Sequence, residues 1–358
     1  MSEEKYIPIN KGHFELDTPE RIASFQERMA LGWEEEYRLY RSFWNELPRK
    51  REVRDYPLLV DLELSSVCNL RCPMCYTITE EFKSKVKKGF MDFDLYRKII
   101  DEVAGKVYAI RLSFRGEPTL HKQFVEAVTY AKSRGVREVS FLTNGSRLEG
   151  EFAREIIKAG ADWITISIDG THAEYENIRR PLKFQDTLRK LEEFKAVKEE
   201  LGQVRPLIKA QGIWPAIRPD PSRYYNTLAP VTDLLAYNPL IDYLRQDKDI
   251  VYEDNFACPQ LYQRLVVGSD GRVMMCSNDE DTEVAVGDAY NQTIHDIWHG
   301  EAMNRIRDIH NQPEGFLSIL VCRLCYYPRK AVPDERSEVN GREIWIENYV
   351  NRKQQVGQ

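Results

Sequence analysis

The sequence predicts an α/β protein with a parallel sheet, preceded by a helical segment and followed by a smaller region of different pattern. Three observations lead to this prediction. From Leu58 onward, strand-like apolar runs alternate with helix-like segments, which is typical of consecutive β-α units. Gly105, Gly135 and Gly160 stand directly after three of the predicted helices, where a helix often ends in glycine. After Cys258 the alternation stops and a short hairpin pattern begins.

The predicted elements follow in chain order. Between Glu20 and Leu47, apolar residues recur at roughly helical spacing, so we predict a helical extension that packs on the main domain. Strands are predicted near 59–64, 107–114, 138–142, 163–168, 206–213 and 249–252, and helices near 94–104, 121–134, 150–159, 184–201 and 231–238. The proline-rich segment 214–230 is predicted as an irregular loop. The predicted domains are a helical extension (1–57), the β-α units (58–253), a smaller domain (254–335) and a charged C-terminal tail (336–358).

Composition and charge argue against several classes of function. The 358-residue chain has a formal net charge of −6 and no long basic tract, so binding to nucleic acid or to an anionic membrane surface is not indicated. No apolar run reaches the length of a membrane span, and the N-terminus lacks the apolar core of a signal peptide. We therefore expect a cytoplasmic protein. Its seven cysteines, an odd number, fit reduced metal ligands better than a disulfide framework.

Three cysteines stand close together directly after the first predicted strand. Cys68, Cys72 and Cys75 have the spacing C-x3-C-x2-C. Three thiolates on one tight loop can hold three irons of a cubane [4Fe–4S] cluster, which leaves the fourth iron open to a small molecule. Structural zinc sites usually bring their thiolates in C-x2-C pairs with a fourth protein ligand. A disulfide reading is poor because three neighbouring cysteines leave one unpaired.

With an apolar residue, Met74, before the last cysteine, this motif resembles the signature of radical S-adenosylmethionine (SAM) enzymes. The resemblance implies a partial (β/α)6 barrel, which periodicity alone does not distinguish from a doubly wound sheet. It also implies that SAM binds the open iron and is cleaved, after one-electron reduction, to methionine and a 5′-deoxyadenosyl radical. The reductant would be a flavodoxin or a ferredoxin-type protein. In this family Met74 and the backbone of Tyr76 would lie against the adenine of SAM.

The end of the second predicted strand resembles another motif of the same family. Segment 113–118 is similar to the glycine-glutamate-proline motif, with Arg115 in place of the usual first glycine. Gly116 and Glu117 would then accept hydrogen bonds from the SAM ammonium group through backbone and carboxylate. The carboxyl end of a parallel strand is where ligands bind, and a glycine there permits close approach. The segment follows the cysteine loop by one β-α unit, which strengthens the match.

Polar residues also end the third and fourth predicted strands. By the resemblance, Thr143, Asn144, Ser167 and Asp169 would contact the ribose and methionine parts of SAM. Asn-Gly and Asp-Gly are also common turn pairs, so plain turn chemistry is an equal alternative for these residues.

Three more residues are candidates for contact with the substrate or with SAM. Arg179 lies in a region where related dehydrogenases place an arginine against the substrate, so we take it as the candidate catalytic residue. Because it belongs to a charged run, a solvated surface position is the alternative. Lys209 and Gln211, on the fifth predicted strand, are candidates to reach the SAM carboxylate or the substrate. They are equally candidates for plain wall residues.

The remaining four cysteines form a second group. Cys258, Gly271 and Cys276 have the spacing that opens SPASM and twitch domains, and the pair Cys322 and Cys325 follows after a long gap. The resemblance predicts one auxiliary [4Fe–4S] cluster with all four thiolates as ligands. A four-cysteine structural zinc site is the alternative. Within this domain, 264–276 is predicted as a hairpin and 293–310 as a helix.

The use of all the cysteines bears on the reaction. Three plus four accounts for all seven, so no thiol remains to return a hydrogen atom, as radical SAM epimerases commonly require. An auxiliary cluster can instead accept an electron, which favours net oxidation. The layout is similar to that of the radical SAM 2-deoxy-scyllo-inosamine dehydrogenases, which implies oxidation of a secondary alcohol on a sugar or cyclitol-like small molecule. The alternatives are an epimerase, a peptide-modifying enzyme, or a redox-inactive zinc or iron–sulfur scaffold.

Overall fold

The computed structural model describes residues 7–9, 14–239 and 248–352. The strands are β1 (Phe14–Glu15), β2 (Leu59–Leu62), β3 (Ala109–Arg111), β4 (Glu138–Thr143), β5 (Trp163–Ser167), β6 (Leu207–Ile213), β7 (Leu234–Asn238), β8 (Arg264–Val267), β9 (Arg272–Met274), β10 (Ala285–Asp288), β11 (Ala331–Val339) and β12 (Arg342–Tyr349). The first ten form one sheet in the order β1-β7-β6-β5-β4-β3-β2-β8-β9-β10, and the last two pair separately.

The α-helices connect and cover these strands. They are α1 (Pro19–Ala30), α2 (Glu34–Lys50), α3 (Glu80–Lys85), α4 (Phe93–Val103), α5 (Phe124–Ser133), α6 (Gly150–Ala159), α7 (His172–Ile178), α8 (Phe184–Glu200), α9 (Trp214–Ile217), α10 (Pro221–Leu228), α11 (Gln260–Gln263), α12 (Ile294–Trp298), α13 (Glu301–Asn311) and α14 (Leu320–Leu324). None of the described helices is long and apolar enough to cross a membrane.

Strand order distinguishes the two α/β architectures that the sequence left open. Strands β2 to β7 are all parallel and follow one another in chain order across the sheet. A doubly wound sheet would reverse its strand order at a switch point. Without a reversal, right-handed crossovers place the connecting helices on one face, so the opposite face becomes an interior. The predicted α/β class and the six barrel-type β-α units are therefore confirmed.

The two faces of these strands differ in chemistry because side chains alternate across a sheet. The face under the helices is apolar; Phe141, for example, packs edge-on against Phe124 of α5 at 4.8 Å between ring centroids. The interior face carries polar and charged residues at the alternate positions. They include Asp61, Arg111, Glu138, Thr165 and Lys209. A polar interior suits a binding chamber better than a packed core.

The helical extension closes the barrel at the end where the parallel strands begin. Phe25 and Met29 of α1 form a small apolar cluster with Leu207 and Leu234. Thr18 caps α1 by accepting a hydrogen bond from the amide of residue 21 at 3.4 Å. Strand β1 adds antiparallel to β7 at the edge of the sheet. The interior therefore has an apolar floor and opens toward the carboxyl ends of the strands.

Three element predictions in the barrel are wrong. The predicted helix near 231–238 is strand β7, the sixth parallel strand, and the predicted strand near 249–252 makes only a single bridge, at Tyr252. The run Leu234–Asn238 is too short for its apolar pattern to distinguish a buried strand from a helix. The proline-rich segment forms α9 and α10 rather than an irregular loop, because proline is compatible with the first helical turn and Asp220 caps α10.

The C-terminal part continues the same sheet. Strand β8 lies parallel to β2, and β8 and β9 form the hairpin that the sequence predicts. The helix predicted over 293–310 is interrupted at Gly300 and becomes α12 and α13. Part of the segment expected as a charged tail forms the hairpin of β11 and β12. It packs near α9, where Glu335 accepts a hydrogen bond from Nε1 of Trp214 at 2.9 Å.

Candidate active site and auxiliary centre

The first cysteine group lies on the loop that follows β2. The amide of Cys75 donates to the carbonyl of Cys72 at 3.0 Å, so the loop turns tightly between them. The pKa of the Cys72 thiol is raised to about 11, mainly by burial; the charge of Arg179 opposes this rise, and Asp169, Cys75 and Cys68 add to it. The three thiols therefore lie close together. They must lose their protons on binding a metal, because the ligand is the thiolate.

Gly116 fixes the position of this loop. Its φ is +66°, and a Cβ there would lie 2.6 Å from the carbonyl oxygen of Ser65 and 2.7 Å from that of Val67. The next residue, Glu117, donates its amide to the same Val67 carbonyl at 2.8 Å. The end of β3 therefore packs backbone to backbone against the start of the cysteine loop, which only glycine permits.

The Glu117 side chain connects two strand ends. Its buried carboxylate accepts hydrogen bonds from the Asn144 amide at 2.7 Å, the Thr143 hydroxyl at 2.7 Å, and the Thr119 hydroxyl and amide at 2.6 and 3.2 Å. Burial raises the pKa of Glu117, and these donors oppose that rise. All the donors belong to the protein, so the carboxylate positions the end of β4. The predicted contact of Glu117 with SAM stays a prediction.

Asn144 and Ser167 place polar groups beside the cysteine loop. The side-chain Nδ2 of Asn144 donates to Oδ1 of Asn69 at 2.8 Å and lies 4.0 Å from Sγ of Cys68. The side chain of Ser167 forms no hydrogen bond to any residue that the structure describes, although the residue is only 8% exposed. Its hydroxyl is available to a ligand. Both positions agree with contact to a bound small molecule at the carboxyl ends of the strands.

Two predicted site residues bind each other. Arg179 donates through Nε and Nη2 to Oδ2 of Asp169, both at 2.6 Å. The other carboxylate oxygen accepts the amide of Ile213 at 2.9 Å. The pair connects the end of β5 to the end of β6, with its positive member close to Cys72. In this arrangement Arg179 is held by Asp169, and its contact with a substrate stays a prediction.

The two residues expected at the adenine lie on the same loop. Met74 packs with an apolar cluster that includes Cys72 and Ile178. The ring of Tyr76 packs edge-on against Phe82 with centroids 5.5 Å apart. The cluster therefore supplies an apolar patch beside the cysteines, which suits a flat aromatic base.

Arg115, which replaces the usual first glycine, is a buried connection between the two parts of the chain. It pairs with both carboxylate oxygens of Glu63, at 2.6 and 2.7 Å. Its Nη1 donates to the carbonyl of Glu280 at 3.0 Å and to the hydroxyl of Thr282 at 3.2 Å. Glu63 also accepts the amide of Ser269 at 2.9 Å. The sequence marks Arg115 only as a departure from the motif, and the sequence analysis missed Glu63. The one sign of Glu63 in the sequence is that it is an acidic residue within an apolar predicted strand.

The other four cysteines come together at a second centre. Cys258, Cys276, Cys322 and Cys325 line one cavity. Cys325 accepts hydrogen bonds at Sγ from the side chain of Asn278 at 3.0 Å and the amide of Tyr327 at 3.4 Å, and Nε2 of His310 lies 3.3 Å from Sγ of Cys322. The sequence analysis missed Asn278 and His310. Hydrogen bonds to cluster sulfurs are a general means of setting reduction potential.

The donor sets match the ligand numbers of [4Fe–4S] clusters. Three free thiols lie on the loop, which would leave one iron of a cubane open, and four line the second cavity, which would close a cubane. Four thiolates would also satisfy a structural zinc site.

Two family models match the chain. The model of the radical SAM superfamily matches residues 62–202, which contain the cysteine loop and the strand ends around it. The chain therefore contains a radical SAM domain. The SPASM iron–sulfur cluster-binding domain matches residues 258–326, which contain the other four cysteines. The cofactors of this radical SAM protein are therefore a [4Fe–4S] cluster with SAM and an auxiliary iron–sulfur cluster, as the sequence predicts.

The chain spans only part of the length of the curated relatives that it matches. The chain is 29% identical over 212 residues to the tungsten-containing aldehyde ferredoxin oxidoreductase cofactor-modifying protein of Pyrococcus furiosus. That match spans 57% of the chain and 58% of the relative.

Solved structures share the fold. BtrN in complex with AdoMet and 2-DOIA superposes with a TM-score of 0.53 at 17% identity, over 77% of this chain and 94% of BtrN. Streptococcus suis SuiB bound to the precursor peptide SuiA gives a TM-score of 0.53 at 12% identity, over 82% of this chain and 76% of SuiB. At such identities the likeness shows the fold alone.

Proposed function

We propose that this radical SAM enzyme is an oxidoreductase that oxidises a secondary alcohol of a sugar or cyclitol-like small molecule, with the auxiliary cluster as electron acceptor. One observation carries the proposal: the seven cysteines divide into three at the loop and four around one cavity. No thiol remains to return a hydrogen atom to a substrate radical. A centre closed by four thiolates suits electron transfer better than substrate ligation.

When bound, a [4Fe–4S] cluster with SAM would supply a 5′-deoxyadenosyl radical at the loop, and the auxiliary cluster would supply an electron acceptor at the second centre. The substrate would lose a hydrogen atom from its carbinol carbon, a proton from its hydroxyl and one electron, which together leave a ketone. Cys68, Cys72 and Cys75 would hold the first cluster. Asn144 and Ser167 offer polar contacts to SAM, and the Glu117 network keeps Asn144 in place.

Two neighbours support different substrate classes. BtrN was solved with 2-DOIA, and its fold is covered almost entirely by this chain. SuiB was solved with a precursor peptide, so a peptide-modifying reaction is the second candidate. In this chain, apolar residues of α1 pack into the end of the barrel where the parallel strands begin. That use of the N-terminal extension supports a closed chamber for a small molecule.

The test uses the full-length enzyme, reconstituted anaerobically with iron and sulfide and supplied with SAM and a low-potential reductant. Cyclitols, aminocyclitols, hexoses and their phosphates serve as the substrate panel. We expect 5′-deoxyadenosine together with a product two mass units lighter than its substrate. A product of unchanged mass would indicate epimerisation and contradict the proposal.

Cys258→Ala tests the electron acceptor. The variant should still cleave SAM, because its loop cysteines are intact, but it should form no ketone. Ketone formed at the wild-type rate would show that the electron goes elsewhere. Exposed Lys158→Met on α6 is the matched control, since no hydrogen bond or ion pair of Lys158 occurs among the described residues.

A further inference from the structure

A row of three residues crosses the interior wall of the barrel. Strand pairing places Leu142 of β4 beside Thr165 of β5, and Thr165 beside Lys209 of β6. Their neighbours in sequence point the other way, as Phe141 shows by packing under α5. Because side chains alternate along a strand, all three side chains of the row face the interior.

The interior is open at the Leu142 end of this row. Leu142 is the next-to-last residue of β4 and is 37% exposed, whereas Thr165 beside it is 5% exposed. The exposed surface has to face the interior, because the other face of β4 is covered by helices. Leu234 of β7 pairs with Lys209 and ends the row on that side. The row is bounded below by the floor where α1 meets Leu207, and above by Ser167 and Gln211, which pair with each other.

Lys209 is the unusual member of the row. It is only 5% exposed, and its ammonium makes no hydrogen bond or ion pair with any residue in the described parts of the chain. Charged groups that act on it at longer range are Glu15 on β1, Arg41 on α2 and Arg111 on β3. Burial lowers the pKa of Lys209 to about 8. The ring of Trp163 lies 6.0 Å from its Nζ.

Other cations on the parallel strands of the sheet or beside them have carboxylate partners. Arg111 pairs with Asp61 at 2.6 Å, and Arg264 reaches the same carboxylate at 3.3 Å. Arg115 pairs with Glu63. An unpaired buried charge is strongly unfavourable, so proteins rarely retain one without a reason. A ligand with a negative charge would complete the missing pair.

We infer that Lys209 binds an anionic group of the substrate, a phosphate or a carboxylate. The inference rests on the proposed function, because it takes the interior as the substrate chamber. Lys209 lies two residues deeper than Gln211, which is about 6.6 Å along the strand. Its extended side chain can therefore bind the far end of a small molecule whose alcohol lies near the cysteine loop. The carboxylate of SAM is the other source of the same chemistry.

The test compares the reconstituted full-length enzyme with Lys209→Met, which keeps the side-chain length and removes the charge. Lys158→Met, on the surface, is the matched control. Binding of SAM, glucose, glucose 6-phosphate and inorganic phosphate is measured by calorimetry at constant ionic strength. We expect the two phosphates to bind wild type and the control, and to bind Lys209→Met about 10- to 100-fold more weakly, with SAM affinity unchanged.

Three outcomes would overturn the inference. If Lys209→Met binds phosphate as tightly as wild type, Lys209 is not part of the anion site. If wild type binds no phosphate, the proposed anion site does not exist. A loss of SAM affinity in Lys209→Met would assign the lysine to SAM instead. Unfolding measurements exclude misfolding, because the variant lacks a buried charge and should be at least as stable as wild type. If the anion effect is found but no ketone forms, the anion site stands and the proposed oxidation fails.

Discussion

Replacing Gly116 with alanine tests how the cysteine loop is held. The added Cβ would lie 2.6 Å from both Ser65 O and Ser66 C, and 2.7 Å from Val67 O. All three atoms are backbone, so no side chain can rotate away and the loop itself has to move. Overpacking of this kind costs about 1–3 kcal/mol, and alanine at a φ of +66° adds about 1–2 kcal/mol.

Gly105 offers a matched control. Its φ is +75°, similar to that of Gly116, but a Cβ there would meet nothing within 4 Å. Gly105→Ala should therefore lose only the stability that alanine costs at a positive φ, about 1–2 kcal/mol. The difference between the two variants in free energy of unfolding isolates the contact with the loop.

Two assays read the result. Denaturant unfolding gives the stability of each variant, and iron analysis with SAM cleavage reports the loop cluster. We expect Gly116→Ala to lose about 2–5 kcal/mol and most SAM cleavage, whereas Gly105→Ala keeps wild-type iron and cleavage. Equal stability losses in the two variants, with wild-type iron and cleavage in Gly116→Ala, would refute this account of the loop.

Two further predictions concern buried charges. Arg115→Met leaves Glu63 buried without its cation and should lower the free energy of unfolding by about 3–5 kcal/mol. The double variant with Glu63→Leu should recover much of that stability. A loss of stability under about 1 kcal/mol in Arg115→Met would contradict this prediction. Burial raises the pKa of Glu138 from 4.5 to about 7. The folded state then holds an extra proton between those pH values, so the stability of wild type relative to Glu138→Gln should fall as pH rises from 4.5 to 7. Between pH 4.5 and a pH above 7, the stability difference should move by about 3 kcal/mol in favour of the variant. A difference that does not depend on pH in urea unfolding would contradict this.

The parts of the site that local sequence encodes could be predicted. The cysteine spacings, the glycine at the end of β3 and the polar residues at the strand ends are all short motifs with a chemical reason. Their predicted positions come together in the structure around the loop. Whether Thr143, Asn144, Ser167 and Asp169 contact SAM stays a prediction.

Partners far apart in sequence could not be predicted in the same way. The Arg115–Glu63 pair spans 52 residues, and Asn278 reaches Cys325 across 47. Neither pair has a local pattern, because each depends on how distant segments of the same domain fold together. The carboxylate of Glu117 was expected to meet SAM, but the folded chain supplies four donors of its own to it.

One missed element did have a local sign. Asn340 and Gly341 both have positive φ, at +50° and +78°, and form the two-residue turn between β11 and β12. Asn-Gly is the preferred pair for such a turn. The high charge of the flanking residues hid it, since charged and apolar residues do not alternate clearly along both strands.

Metal content tests the central claim most directly. After anaerobic reconstitution, iron, sulfide and zinc are measured per chain of the full-length enzyme. Two cubanes require about eight irons and about eight sulfides per chain, and we expect these amounts with no zinc. About four irons with one zinc would place zinc at the four-cysteine centre, remove the electron acceptor and contradict the proposed oxidation.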